Sequence, residues 1–143
     1  MVPLPSDRGN PYISQLCDEL RRLGVTLQPY SLRASWHADV LHFHWPDHFV
    51  NRNSRWRATR GGVKGLCSCA LARFRRHAVV WTVHNLRAHD AEHVRLERVF
   101  WPMFTRFLSG YVCLTEAGRL LAVDRFPRLG KKPGITIAHG TYT

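Results

Sequence analysis

Long hydrophobic runs are missing from this chain. The apolar stretches at 39–45, 78–83 and 111–114 each break at polar or charged residues, and none approaches the ~20 apolar residues that a membrane-spanning helix needs. The first ten residues hold two prolines and mixed charge but no apolar run. No secretory leader is therefore expected, and the cytoplasm is the expected compartment. Cysteine is sparse, with Cys17, Cys67, Cys69 and Cys113 spread over 143 residues, too dilute for the disulfide framework of a small secreted domain. Cys17 and Cys113 sit in apolar contexts and read as small buried hydrophobes. Cys67 and Cys69 form only a CxC, which needs two further ligands to hold zinc and matches no structural zinc module. No metal and no cofactor are therefore expected. Acidic side chains are also few: ten Asp and Glu stand against 21 Lys and Arg, a formal charge of +11.

The chain is rich in core material. Apolar residues make up 45% of it and aromatics 11%, which excludes a disordered basic tail and supports one domain over residues 1–143. Tyr12, Ile13, Leu16, Cys17, Leu20 and Leu23 have the spacing of an amphipathic helix, bracketed by Asn10, Pro11 and Gly24. An extended run at 25–30 and a strand at 39–45 follow, the latter with Val40, Leu41 and Phe43 set against His42 and His44. The basic stretch 52–76 predicts a helix starting near Gly61 and Gly62, with Leu66, Ala70, Leu71 and Phe74 on one face. Residues 78–84 form the most hydrophobic strand, suited to the interior of a parallel sheet. A helix at 92–108, with Leu96, Val99, Phe100, Met103, Phe104 and Phe107 inward, should kink or end its first turn at Pro102. A strand at 110–115, a helix at 116–126 and a strand at 134–138 complete the order. Strand and helix alternating in this way predict an α/β domain with a Rossmann-like, mostly parallel sheet and helices on both faces.

In such sheets ligands bind beyond the carboxyl ends of the strands. The polar residues there are Asp47 and His48, His84 and Asn85, Thr115 and Glu116, and His139 with Gly140, while Asn10 caps the opening helix. His84 and Asn85 offer a ring that donates and accepts and an amide that does both. Asp90 beside His89 can fix a histidine tautomer or act as a base. His42 and His44 share a strand face, where they either bind a metal with His37 or His48 or line the sheet beneath a helix. Asn10 reads equally as a plain helix cap, and His139-Gly140 as a simple turn. The tryptophans at 36, 45, 56, 81 and 101 either stack on sugar rings or fill the core.

Four segments carry a family resemblance: Asn10-Pro11-Tyr12; Leu41-His42-Phe43-His44-Trp45-Pro46; Trp81-Thr82-Val83-His84-Asn85-Leu86 with His89 beyond it; and Ile137-Ala138-His139-Gly140-Thr141-Tyr142. In this order they resemble the N-terminal, acceptor-side lobe of bacterial GT-B glycosyltransferases that build exopolysaccharide or glycolipid repeat units. The likeness spans nearly the whole chain. It implies a transferase lobe that helps move a sugar from a nucleotide-diphosphate sugar donor to a lipid-linked or saccharide acceptor. Members of that family begin with a full strand before the Asn-Pro-Tyr helix and continue into a second, donor-binding lobe. The chain is thus expected to be a fragment, truncated at its first strand, lacking the donor domain and nearly inactive alone. The resemblance places the His84-Asn85 pair and His89 beside the reacting sugar and His139-Gly140 at the hinge. The expected site is His84 and Asp90 for catalysis, with Asn10, His44, Asn85, His89, Glu116, His139 and Gly140 binding substrate.

From His48 to His89 there is no acidic residue, while Arg52, Arg55, Arg57, Arg60, Lys64, Arg73, Arg75 and Arg76 all lie between them. Such a block predicts an electropositive face. An anionic membrane surface is the partner expected first, because an enzyme acting on a lipid-linked acceptor must dock there, and Trp56, Val63, Leu66 and Phe74 would suit an interfacial helix. This gives a cytoplasmic protein peripheral to the inner face of the membrane. A solvated basic face ranks next. No helix-turn-helix, zinc-finger, RRM or KH signature supports nucleic acid. The alternative function is a non-catalytic basic module that binds an anionic membrane or nucleic acid.

Overall fold

Each strand is separated from the next by a helix, and the strands pair in the order in which they occur. The computed structural model describes residues 11–84, 86 and 93–138. Its strands β1 (Val40–Phe43), β2 (Ala78–Val83), β3 (Gly110–Cys113) and β4 (Gly134–Thr136) form one all-parallel sheet in the order β1-β2-β3-β4. Helices α1 (Pro11–Arg22) and α2 (Leu32–His37) precede the sheet, and α3 (Arg55–Phe74), α4 (Val94–Phe107) and α5 (Glu116–Arg125) make the crossovers. Two 3₁₀ turns, Pro46–Phe49 and Pro127–Lys131, follow β1 and α5. The architecture is the expected Rossmann-like α/β arrangement.

A consecutive strand order, linked by right-handed crossovers that all step the same way, deposits the connecting helices on one face. The core agrees. Leu41, Phe43, Val79, Trp81, Val83, Tyr111 and Cys113 alternate onto that face and join Ala34 of α2, Ala72 of α3, Phe104 of α4 and Ala122 of α5 in one buried cluster. Trp81, only 1% exposed, lies 5.3 Å from Trp101, 5.8 Å from Phe104 and 5.7 Å from Phe126 between ring centroids. The opposite face carries His42, Thr82 and His84, and α1 meets it through Tyr12. Ile13 and Cys17 of α1 form a smaller buried cluster with Leu27 and Trp45 packed against it. Val40 and Ile135, on this second face, remain exposed.

Several elements differ from expectation for identifiable reasons. Helix α3 begins at Arg55, so Gly61 and Gly62 lie inside it rather than at its start. A Cβ at Gly61 would fall 2.1 Å from the Phe49 carbonyl oxygen, and one at Gly65 2.9 Å from the Phe49 ring. Glycine there lets α3 press against the first 3₁₀ turn. Its buried face is consequently small, made of Ala58, Gly62, Gly65, Ser68, Cys69 and Ala72, while Phe74 turns outward. Helix α4 runs through Pro102 without ending, burying Phe100, Trp101, Phe104 and Thr105 and exposing Val99 and Met103. The residues at 25–30 form neither helix nor strand, since an extended segment needs a neighbouring ladder for its backbone groups. Gly24 has φ +79 and ends α1, as the sequence predicts.

Candidate functional site

The carboxyl ends of β1 and β2 bring three histidines to one face of the sheet. Because side chains alternate along a strand, His42 and His44 follow each other on β1 and its extension, with Thr82 and His84 beside them on the β2 side. His42 Nε2 lies 2.8 Å from Thr82 Oγ1, and His44 Nδ1 lies 3.0 Å from His84 Nε2. The latter contact between two imidazole nitrogens needs one proton between them, one ring donating and the other accepting. Burial, the dominant cause, together with repulsion from neighbouring cationic groups including His84, pushes His42 down to about 4. Burial followed by repulsion from His42 and His84 pushes His44 down to about 2. At neutral pH His42 and His44 are therefore uncharged hydrogen-bonding groups.

Aromatic rings frame it. Tyr12, in the first turn of α1, presents its ring edge-on to His44 at 5.7 Å and to His84 at 5.1 Å. Trp45 stacks on His84 at 5.0 Å and on His48 at 6.4 Å, with both ring pairs tilted by only 20°. His44 is 2% exposed and its Nε2 has no hydrogen-bond partner among the described residues. It supports His84 from below, and His84, half-buried, is the member of the pair nearer solvent.

Beyond Trp45 a polar pocket of about 380 Å³ opens, lined by His48, Asn51, Arg52, Asn53 and Arg57. Arg52 Nε donates to the His48 carbonyl at 3.1 Å, and His93 Nε2, at the start of α4, lies 2.8 Å from the Arg52 carbonyl. Two contacts thus tie the pocket loop to the 3₁₀ turn and to α4. Arg52 and Arg57, expected on a docking face, are here site residues.

The other expected residues fall in different places. Asn10, Asn85, His89, Asp90, His139 and Gly140 lie outside the described residues. Glu116 is bound to Arg119 in a bidentate pair (2.6 and 2.9 Å) and accepts from Thr136 Oγ1 at 3.0 Å, which lowers its pKa and ties α5 to β4. No group of three metal-ligating side chains occurs among the described residues. His42 lines the sheet, and Cys67 is exposed while the Cys69 thiol is buried and pushed up to about 12. Tyr12 and Trp45 contribute more than the sequence reading gave them. Tyr12 read only as an apolar helix position, although it stands in the quoted Asn-Pro-Tyr motif, and Trp45 was one of five tryptophans with a core alternative.

Arg55, Arg60, Lys64, Arg73, Arg75 and Arg76 are all exposed. Trp56, Val63 and Phe74 are separated by seven and eleven residues, which places them within about 20° of one another around a helix. They are 73%, 56% and 78% exposed, on the pole of α3 opposite its buried glycines and alanines. Leu66 instead packs against the core. Trp36 of α2 stacks on Phe74 at 6.3 Å, and the Arg75 guanidinium lies over Trp36 at 4.8 Å. No helix among the described residues is long and apolar enough to cross a membrane.

Fold and site define a Rossmann-like parallel α/β domain with a histidine cluster at its strand ends. No family model matches the chain, and comparison with curated proteins and with solved structures finds no match.

Proposed function

We propose that this domain is the acceptor-binding lobe of a glycosyltransferase, acting on a lipid-linked or saccharide acceptor with a nucleotide-diphosphate sugar as donor. The observation that carries the reading is the His84 ring. It is half-buried, held by His44, and flanked by the Tyr12 and Trp45 rings at the strand ends where parallel α/β sheets bind ligands. Neutral imidazoles suit sugar hydroxyls because they donate and accept without drawing in an anion, and an indole face suits the apolar face of a pyranose. The adjoining pocket, with Arg52, Arg57 and His48, matches the phosphate of a lipid-linked acceptor. In the transfer, the acceptor oxygen bonds to the anomeric carbon, the nucleoside diphosphate departs, and the acceptor proton passes to a base. His84 and Asp90 are the residues proposed to serve that proton, with Asn10, Asn85, His89, His139 and Gly140 toward substrate.

Calorimetric titration with octyl β-glucoside, octyl β-galactoside and a short-chain lipid diphosphate glucose tests the reading. At least one should bind, and His84→Ala should weaken it about tenfold, the loss of one or two hydrogen bonds. Binding by none, or binding that His84→Ala leaves unchanged, would contradict it.

The outward stripe of α3 supports the peripheral membrane location. Its apolar pole is flanked by cations, each contributing about 1 kcal/mol near an anionic surface. Phosphatidylglycerol vesicles should co-sediment with the chain in low salt, phosphatidylcholine vesicles should not, and Trp56→Ser with Phe74→Ser should weaken the association about tenfold. Equal partition onto both lipids would remove the membrane reading.

A further inference from the structure

A second pocket, of about 560 Å³, lies between α4 and the segment from the end of α5 into the second 3₁₀ turn. It opens on the helical layer, whereas the histidine cluster lies on the other face of the sheet. Its floor is aromatic: Trp101 and Phe126, both buried, face each other at 5.1 Å, and Val94 and Pro102 continue the apolar wall. Its rim is cationic, with Arg98 from α4 and Arg125 and Arg128 from the opposite wall, against the single acid Glu97. None of the three arginines makes a hydrogen bond or ion pair with another described residue, and Arg125 merely overlies the Phe126 ring at 5.8 Å. Glu97 is raised by burial first and by Asp47 second, with Arg125 pulling the other way. An anion seated among the three guanidiniums would gain charge-assisted hydrogen bonds from them.

We propose that this pocket binds a single-chain amphiphile with an anionic head, its alkyl body on Trp101 and Phe126 and its phosphate or carboxylate among Arg98, Arg125 and Arg128. The volume lies within the range of small-molecule sites, and charge and apolar lining are segregated as such a ligand requires. The site goes beyond the sugar-handling function and does not depend on it.

Isothermal titration with decyl phosphate, below its micelle concentration, tests the proposal on the full chain. One molecule should bind, and decanol and inorganic phosphate should each bind about tenfold more weakly or worse, because each lacks one half of the recognition. Arg98→Gln combined with Arg128→Gln should weaken decyl phosphate about tenfold. Val94→Glu, which puts an acid at the first helical position where the helix dipole welcomes it, should abolish binding while the fold is kept. The head could belong to a free amphiphile or to a bilayer lipid. Competition between decyl phosphate and phosphatidylglycerol vesicles would assign the pocket to the lipid, and simultaneous binding to a free amphiphile. Decanol binding as tightly as decyl phosphate, or affinity unmoved in both variants, would overturn the proposal.

Discussion

At pH 5 the protein is expected to have lost about 4 kcal/mol of the stability it holds at pH 7, about 2 kcal/mol from each of His42 and His44. Both rings are depressed in the folded state, to about 4 and about 2, from an ordinary 6.5. The unfolded chain takes up protons as the pH falls through 6.5 while the folded site refuses them. Acidification below 6.5 therefore favours the unfolded state, and the loss continues until the folded pKa values are reached. Above 6.5 the two rings are neutral in both states and impose no penalty. A loss of this size is a large share of the 5–15 kcal/mol that holds a typical domain together, so unfolding near pH 4 to 5 is expected. Urea midpoints measured at pH 7, 6 and 5 give the slope directly. Replacing both rings, with His42→Gln and His44→Asn, should flatten it even if the variant is less stable at pH 7. A wild-type midpoint unchanged between pH 7 and 5 would show that the rings are not buried neutral.

Trp81→Ala should cost about 3–5 kcal/mol, the range for removing a large aromatic from a packed core. Trp81 stands on the central face of β2 and touches the aromatic rings of α4 and the residue that ends α5. Truncation removes the group around which both helices are packed, and among the described residues no second core on that face compensates. Trp56→Ala is the matched control: Trp56 is 73% exposed on α3, and the change should stay within about 0.5 kcal/mol. Chemical denaturation followed by far-UV circular dichroism compares the two without relying on tryptophan fluorescence. Similar losses in both variants would mean that the core is not centred on Trp81.

The sheet was legible because its strands obey a short-range rule. Alternation in 39–45 and the near-continuous apolar run in 78–83 identify β1 and β2 whatever surrounds them, and Thr115 before Glu116 marks the start of α5, where its hydroxyl accepts from the Gly118 amide. Helix faces were harder. In α3 the inward side is composed of glycine, alanine and serine, so hydrophobicity points the wrong way, and only the close approach of Phe49 to Gly61 and Gly65 reveals which side is buried. In α4 the aromatic layer selects Trp101 over Val99 and Met103, a choice made by Trp81 and Phe126 across the core. The strand-end rule singles out His84, and alternation along β1 puts His42 and His44 on one face. The hydrogen bond between His44 and His84 and the part played by Tyr12 join residues far apart in sequence, and no local pattern could have supplied that.

The same geometry explains why one basic chain carries two unlike surfaces. Imidazoles, with His42 and His44 held neutral, occupy the strand ends, while the arginines are distributed to the outside of α3, the pocket after β1, and the groove beside α4.

The nitrogen chemical shifts of the imidazole rings, recorded between pH 7 and pH 5, test this account most directly. His42 and His44 should keep the shifts of neutral rings at every pH where the fold persists, and the His84 ring should respond when a bound saccharide is added. Protonation of either His42 or His44 with a midpoint near 6.5 in the folded protein would contradict the account.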